Sequence, residues 1–308
     1  MNRGRAVLDP LITLVAPVVW GSTYIVTTEL LPPDRPLLAA AVRSLPTGLV
    51  LLAFCRVLPR GVWWWRALVL GTLNMGAFFY LLFVAAYLLP GGIAALVMSV
   101  QPMFVLVLAA LVLGSRIRPA HVAACALGAT GVGLLVTGPE AALNPAGVLA
   151  GLAAAACMAG GIVLTKRWGR PDGVGLLTMT GWQLTVAGLM LAPAALAVEG
   201  LPDRVTGANL AGFAYLGVIG TLVSYALWFR GVERLPAPTV SFLAFGSPLA
   251  AVFLGWAVLG QGLSPVQACG ALLAVAAVVL AQFAAPDPPK RRSGHRSPGG
   301  THRVRPPT

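Results

Sequence analysis

Residues 79–136 read FYLLFVAAYLLPGGIAALVMSVQPMFVLVLAALVLGSRIRPAHVAACALGATGVGLLV. Apolar residues dominate this stretch, and its breaks fall at Pro90, Leu113-Gly114 and Pro119. A bilayer core about 30 Å thick needs about 20 consecutive apolar residues of helix. The runs that follow Pro90 and Pro119 reach or approach that length, so the stretch predicts membrane-spanning helices.

The composition of the whole chain supports the same class of protein. Of the 308 residues, 58% are hydrophobic and only 10% are charged, and the mean hydropathy is +0.85. A soluble domain has about 25% charged and 45–50% apolar residues, and a disordered chain needs low hydrophobicity. This composition therefore excludes a cytosolic enzyme and a disordered protein, and it indicates a polytopic membrane protein.

Apolar runs of spanning length recur along the chain, separated by short segments that contain Pro, Gly or charge. The predicted spans are 11–30, 36–55, 67–89, 91–113, 119–138, 145–164, 174–198, 207–229, 236–259 and 264–284. Barrel strands would alternate over about ten residues, and these runs do not alternate. The predicted fold class is therefore an all-α polytopic membrane protein with ten spans. Its predicted parts are an N-terminal segment 1–10, a first half 11–138, a second half 145–284 and a disordered basic tail 285–308.

The basic residues predict the orientation of the chain. With the N-terminus in the cytoplasm, the inner segments and the tail hold 18 of the 21 Lys and Arg residues, and the outer loops hold two. Positively charged loops stay on the cytoplasmic side, so both termini are predicted to be cytoplasmic in a cell (inner) membrane. The net charge of +12 is explained by these loops facing anionic lipid. The charge is spread over the loops without interleaved aromatic residues, so no nucleic-acid partner is expected.

The chain matches itself at an offset of 146 residues. Pro90 matches Pro236, Pro102 matches Pro248, and Pro119 matches Pro265, which relates spans 3–5 to spans 8–10. A looser offset of 140 relates Gly48-Leu49 to Gly188-Leu189. Each half has five predicted spans, an odd number, so the second half is predicted to enter the membrane upside down. Inverted repeats with a central site are typical of secondary transporters.

Several of these motifs are similar to those of a known family. The stretch Trp20-Gly21-Ser22-Thr23-Tyr24, the start of span 2 from Pro36 to Arg43, and the repeated Pro and Leu-Gly positions of spans 4 and 9 resemble the drug/metabolite transporter superfamily. More narrowly, the chain resembles its EamA-type permeases. The segment Trp20 to Leu38 is similar to the blue-pigment (indigoidine-type) exporters.

The resemblance implies two EamA repeats in a basket of ten helices, with a central cavity lined by spans 1, 3, 4, 6, 8 and 9. It also implies export of small, often amphipathic metabolites such as pigments, drugs or amino-acid-like compounds. The chain departs from the family where Glu commonly follows the Leu-Gly of spans 4 and 9, because Ser115 and Gln261 stand there. Any role of that carboxylate cannot be transferred to this chain.

Polar and aromatic residues near mid-span are the candidates for a substrate site, because an aromatic, mostly uncharged cavity suits a planar amphipathic solute. The substrate-binding candidates are Trp20, Tyr24, Asn74, Tyr80, Gln101, Met158, Ser224, Tyr225, Trp228 and Phe245. Pro102 and Pro248 are candidate gating pivots, since each removes a helix hydrogen bond near mid-span.

Arg43 lies inside span 2 and must face the bundle with a partner, because an arginine at bilayer depth is costly. Two interpretations stay open. Arg43 either attracts anions near the outer mouth, or it is a structural residue bonded to backbone carbonyls or to Glu29 or Asp34.

Other functions remain as alternatives. An enzyme is not expected, because catalysis inside a membrane needs a nucleophile with a base, a metal site or paired carboxylates, and the predicted spans offer none; no cofactor and no metal are expected. Uptake of amino acids or sugar derivatives is the main alternative, and a non-transporting receptor or scaffold is a remote one. The expected partners are a small-molecule substrate and the lipid bilayer, with the protein a monomer or a homodimer.

Overall fold

The structure is a computed structural model that describes residues 3–115, 119–136, 144–235, 239–240 and 243–283. These residues form helices and connecting turns, in agreement with the predicted all-α class. The predicted tail 285–308 and the predicted ends of spans 5 and 9 lie outside the described residues.

The helices of the first half are α1 (Arg3–Gly21), α2 (Thr23–Leu30), α3 (Pro36–Cys55), α4 (Trp63–Gly71), α5 (Phe78–Leu88), α6 (Gly91–Met98), α7 (Gln101–Leu113) and α8 (Pro119–Val136). Those of the second half are α9 (Pro145–Trp168), α10 (Leu176–Val198), α11 (Gly207–Ala214), α12 (Ser224–Arg234), α13 (Gly246–Leu259) and α14 (Pro265–Phe283). Two π-helical segments, π1 (Thr72–Ala77) and π2 (Tyr215–Val223), join α4 to α5 and α11 to α12.

Seven helical segments are long and apolar enough to cross a membrane. They run over Leu8–Leu30, Pro36–Cys55, Trp63–Leu88, Gly91–Leu113, Pro145–Trp168, Leu176–Val198 and Gly207–Arg234. The three other predicted spans correspond to shorter apolar helices over Pro119–Leu134, Gly246–Leu259 and Pro265–Ala277. The first helix begins at Arg3, inside the predicted N-terminal segment, because hydropathy detects the apolar part of a helix and not its first polar turns.

Helices α3 and α10 pack closely and run antiparallel. A Cβ atom added at Gly48 would lie 2.5 Å from the backbone nitrogen of Thr185, and one added at Gly188 would lie 2.5 Å from the Cα of Leu45. Residue numbers therefore rise along α3 as they fall along α10. The two glycines match at the offset of 140, so this interface joins equivalent helices of the two halves.

The π-helical segments occupy equivalent positions in the two halves. An offset of 146 moves π1 onto residues 218–223, which lie within π2. A π-helical turn is rare and is frequently found at functional sites. Its recurrence in both halves indicates that each half widens the same turn of the same helix.

The structure corrects the predicted place of the two bends. α6 ends at Met98 and α7 begins at Gln101, so Pro102 is the second residue of a new helix. Pro248 is the third residue of α13. The first turn of a helix has N–H groups without intrahelical acceptors, so a proline there loses no hydrogen bond. Each proline starts a helix instead of interrupting one.

Candidate functional site

An aromatic cluster lies where α1 of the first half meets π2 and α12 of the second half. The ring of Trp20 lies 5.4 Å from the ring of Tyr225 and 5.4 Å from that of Trp228, measured between centroids. Tyr225 also stacks on Phe229 at 5.6 Å. The structure thus brings together three of the predicted substrate-binding residues.

Side chains of the first half bind the backbone of π2. Trp20 Nε1 donates to the carbonyl of Gly220 at 3.1 Å, and Thr47 Oγ1 donates to the carbonyl of Gly217 at 3.1 Å. Arg43 Nη2 donates to the same Gly220 carbonyl at 3.2 Å. These three hydrogen bonds attach α1 and α3 to the π-helical segment of the second half.

Arg43 is buried beside the aromatic cluster, with only 3% of its surface exposed. Its Nε donates to Thr221 Oγ1 at 3.1 Å, and its guanidinium carbon lies 4.4 Å from the ring centroid of Phe79. Of the partners considered for it, the structure provides the backbone carbonyl, and neither Glu29 nor Asp34 pairs with it among the described ion pairs.

Two tyrosine hydroxyl groups near Arg43 donate to sulfur. Tyr24 Oη donates to Met98 Sδ at 3.4 Å, and Tyr225 Oη donates to Met75 Sδ at 3.6 Å. The guanidinium interacts electrostatically with Tyr24 and Tyr225, and also with Tyr215. A thioether is a weak acceptor, so both hydroxyls retain capacity for a stronger one.

Asn74 belongs to a second polar contact between the halves. Its Nδ2 donates to Gln183 Oε1 at 2.8 Å, which joins π1 to α10. Its Oδ1 is buried without a hydrogen-bond partner and faces Gly161, where an added Cβ would lie within 2 Å of it. Asn74 therefore binds the second half directly, and the next residue, Met75, accepts from Tyr225 of the aromatic cluster.

The two polar contacts are equivalent under the internal repeat. The offset of 140 moves Arg43 to Gln183, and the offset of 146 moves Asn74 to Gly220. Arg43 and Gln183 are each the eighth residue of their helices, α3 and α10. Because these helices are antiparallel, the two contacts lie on opposite sides of the middle of the bundle along the helix axes. The contact of Arg43 contains a cation, and the contact of Asn74 is a pair of neutral amides.

The other predicted site residues lie outside these contacts. Ser224 is buried and donates to the Ile219 carbonyl of its own helix at 2.7 Å, as hydroxyl side chains in helices often do. The remaining candidates are half-buried. Tyr80, Gln101 and Met158 lie on other helices, and Phe245 lies in the turn before α13.

The rings of the aromatic cluster are half-buried, and two aromatic residues near Arg43 are more deeply buried. Tyr24 is 5% exposed and Phe79 is 1% exposed. Two clefts lie elsewhere, one along Arg170–Gly175 and a small one between α6 and the loop after α13. Trp20, Tyr225, Trp228 and Phe229 keep part of their surface accessible.

Sequence analysis missed several residues of this region. Phe79 and Tyr215 were not singled out, although Tyr215 Oη shares a 2.6 Å hydrogen bond with Ser22 Oγ. Gln183 was also missed, but the offset of 140 from Arg43 was a signal that could have found it. Gly220 accepts hydrogen bonds through its backbone carbonyl, and no sequence pattern predicts such a role.

An ion pair at the end of α12 was also missed. Arg230 Nη2 lies 2.5 Å from Asp9 Oδ1, and Arg234 Nη1 lies 3.7 Å from the same oxygen. Asp9 was counted as part of the N-terminal segment, whereas the structure places it inside α1. The pair joins α1 to α12 on the far side of the aromatic cluster from α2.

Comparison with known proteins places the chain among membrane transporters. It is 48% identical to Protein PecM of Dickeya dadantii over 87% of this chain and 90% of that protein. It is 26% identical to a probable amino-acid metabolite efflux pump of Salmonella typhimurium, over 89% of this chain and 95% of the pump. It is also 27% identical to the uncharacterized inner membrane transporter YedA of Escherichia coli, over 85% and 87% of the two chains.

A solved crystal structure shares the fold. It matches with a TM-score of 0.61 at 22% identity, and it covers 89% of this chain and 97% of its own. The model of the EamA-like transporter family matches residues 10–137 and again residues 145–283. The predicted resemblance to EamA-type permeases is confirmed, and the chain belongs to the EamA-like transporter family.

Proposed function

We propose that this membrane transporter exports small amphipathic metabolites by alternating access. In this proposal ten spans form two inverted repeats of five helices, and both termini are cytoplasmic. The observation that carries the proposal is the aromatic cluster around Trp20 and Tyr225, with Arg43 beside it, at the contact between the two halves. Secondary transporters bind their substrates at the interface between repeats.

The cluster is built so that movement of the halves would open it. Trp20 and Arg43 belong to the first half, and both donate to the carbonyl of Gly220 in the second half. Separation of the halves would break these hydrogen bonds and part the rings, which would expose aromatic faces and a cation to a solute. The equivalent contact of Asn74 with Gln183 lies in the opposite half of the bundle and would separate in the opposite state.

The similarity of the chain to exporting proteins supports outward transport. One relative is named a probable amino-acid metabolite efflux pump, and the segment Trp20 to Leu38 is similar to the pigment exporters. The distribution of Lys and Arg supports the orientation with cytoplasmic termini.

Comparative metabolomics of medium and cytosol tests the proposal. Cells expressing the intact protein, a Trp20→Ala variant, a matched Trp256→Ala variant and an empty vector are compared. Trp256 is 62% exposed on α13, so its loss removes a tryptophan without touching the cluster. Export predicts a solute enriched in the medium with the intact protein and with Trp256→Ala, but reduced with Trp20→Ala.

Other outcomes favour the alternatives. Depletion of a solute from the medium would indicate uptake. Binding of a solute to the purified protein without movement across proteoliposome membranes would favour a receptor and contradict export.

A further inference from the structure

Arg43 holds a positive charge inside the protein without a carboxylate beside it. In the part of the chain that the structure describes, the ion pairs join Asp9 to Arg230 and Arg234. The Nη1 of Arg43 is buried and has no hydrogen-bond acceptor. A buried charge is costly unless it is paired and fully hydrogen-bonded, so the guanidinium is an incomplete site for an anion.

The equivalent contact in the other half of the bundle shows that packing does not require this charge. There the eighth residue of α10, Gln183, meets π1 at Asn74 through a neutral hydrogen bond. The same crossing of a helix over a π-helical segment is thus made by an uncharged amide. The fold alone therefore does not require the positive charge of Arg43, which points to a role beyond packing.

The hydroxyl groups beside Arg43 suit the same anion. Tyr24 and Tyr225 donate to the thioethers of Met98 and Met75, which are weak acceptors. A carboxylate or sulfonate oxygen accepts hydrogen bonds more strongly, and hydrogen bonds to a charged acceptor are roughly twice as strong as neutral ones. Both hydroxyls would gain by turning from sulfur to an oxyanion.

The surroundings specify the rest of the ligand. Phe79 lies against one face of the guanidinium, and Trp20 packs on Tyr225. Aromatic rings of this kind stack on flat apolar bodies. We infer that Arg43, Tyr24 and Tyr225 form the recognition site for the anionic group of the exported solute, which carries a single negative charge on a planar aromatic body. This inference rests on the proposed function and names its substrate class.

Calorimetric titration of the purified protein in nanodiscs tests the inference with matched probes. Naphthalene-2-carboxylate carries the charge and the rings, and naphthalene-2-carboxamide carries the rings alone. We expect the wild-type protein to bind the carboxylate about ten- to a hundredfold more tightly, the range for a hydrogen bond to a charged group. Acetate, which has the charge without the rings, is expected to bind more weakly than the naphthalene carboxylate.

Three variants assign the preference to Arg43. Arg43→Gln copies the neutral residue of the equivalent crossing and is expected to bind both naphthalene probes equally. Arg43→Lys keeps the charge and is expected to keep part of the preference. Gln183→Ala alters the neutral crossing and is expected to keep all of it.

The wild-type comparison needs no variant to fold and can overturn the inference by itself. Equal affinity of the wild-type protein for the carboxylate and the carboxamide, or no binding of the carboxylate, overturns the inference. So does an unchanged preference in Arg43→Gln, and acetate binding as tightly as the naphthalene carboxylate overturns the aromatic part.

The binding experiment and the export experiment can fail independently of each other. Preferential anion binding by a protein that moves no solute would keep the site and reject the proposed function. Export that continues unchanged in Arg43→Gln would keep the function and reject the site.

Discussion

The side-chain amide of Asn74 donates to Oε1 of Gln183 at 2.8 Å, and this hydrogen bond joins π1 of the first half to α10 of the second. Both residues are 7% exposed. Little solvent can therefore reach either side chain to replace a lost partner. This hydrogen bond is the neutral equivalent of the contact that Arg43 makes with π2. It therefore shows what such a contact between a helix and a π-helical segment contributes to stability without a charge.

Replacing either amide should destabilise the protein. We expect Asn74→Ala and Gln183→Ala each to lower the free energy of unfolding by about 1–3 kcal/mol, because each leaves a buried group unsatisfied. A double-mutant cycle of denaturant unfolding should give a coupling energy of about 0.6–1.7 kcal/mol, the range for hydrogen bonds between membrane helices. Strictly additive effects of the two substitutions would show that the bond contributes nothing.

The glycine contacts between α3 and α10 predict a second stability effect. A Cβ at Gly48 or Gly188 would lie 2.5 Å from backbone atoms of the facing helix, so the helices must shift to admit it. We expect Gly48→Ala and Gly188→Ala each to cost about 1–3 kcal/mol by overpacking. Gly133→Ala is the matched control, because no atom lies within 4 Å of its added Cβ. Thermal unfolding in detergent measures the three variants, and equal midpoints would contradict the prediction.

Much of the fold could be predicted because the hydropathy of each segment and the Pro, Gly and charged residues between segments are read directly from the sequence. The apolar runs located the helices, and Gly48 and Gly188 marked equivalent positions that the structure brings into one interface. The sequence could not predict π1 and π2, since a π-helical turn depends on which carbonyls find partners in neighbouring helices. It also placed the bend at Pro102, whereas the helix ends at Met98 and the proline begins the next one.

The candidate site was predictable only in part, for a related physical reason. Trp20, Tyr225 and Trp228 were identified as aromatic residues near mid-span, and the structure brings them together. Asn74 was chosen because an amide in hydrocarbon must be bonded, but the identity of its partner depends on how the two halves pack. The carbonyl of Gly220, which binds both Trp20 and Arg43, has no side chain that a pattern could reveal.

The ion pair of Asp9 with Arg230 predicts a modest, charge-dependent stabilisation of the contact between α1 and α12. Its side chains are 21% and 30% exposed, so solvent screens the pair and we expect Asp9→Asn to cost about 0.2–1 kcal/mol. The exchange of charges in Asp9→Arg with Arg230→Asp should recover part of this loss. Arg234→Gln, which removes the more distant cation, should cost less than Arg230→Gln. Unfolding midpoints at low and high salt measure these changes, and a loss unaffected by salt would argue against an ionic contribution.

The helix breaks before Pro102 and Pro248 predict an effect on transport without an effect on folding. Each proline lies in the first turn of its helix, where its missing N–H costs nothing but where it prevents the preceding helix from continuing through. We expect Pro102→Ala combined with Pro248→Ala to slow export several-fold, since continuous helices would bend less easily. Size-exclusion profiles should stay unchanged. Normal export by the double variant would contradict a pivoting role.

Substitutions at Trp20 can distinguish the contribution of ring packing from that of hydrogen bonding in the candidate site. Its indole N–H donates to the Gly220 carbonyl, and its ring packs between Tyr225 and Trp228. Trp20→Phe removes the hydrogen bond but keeps an aromatic face, so we expect a small loss of export, whereas Trp20→Ala removes both and should abolish most of it. Trp256→Phe and Trp256→Ala serve as controls on the exposed surface of α13. The rate of solute efflux from loaded cells, normalised to protein in the membrane, measures all four variants. If Trp20→Phe lost as much activity as Trp20→Ala, the hydrogen bond to π2, and not the aromatic surface, would be what transport requires.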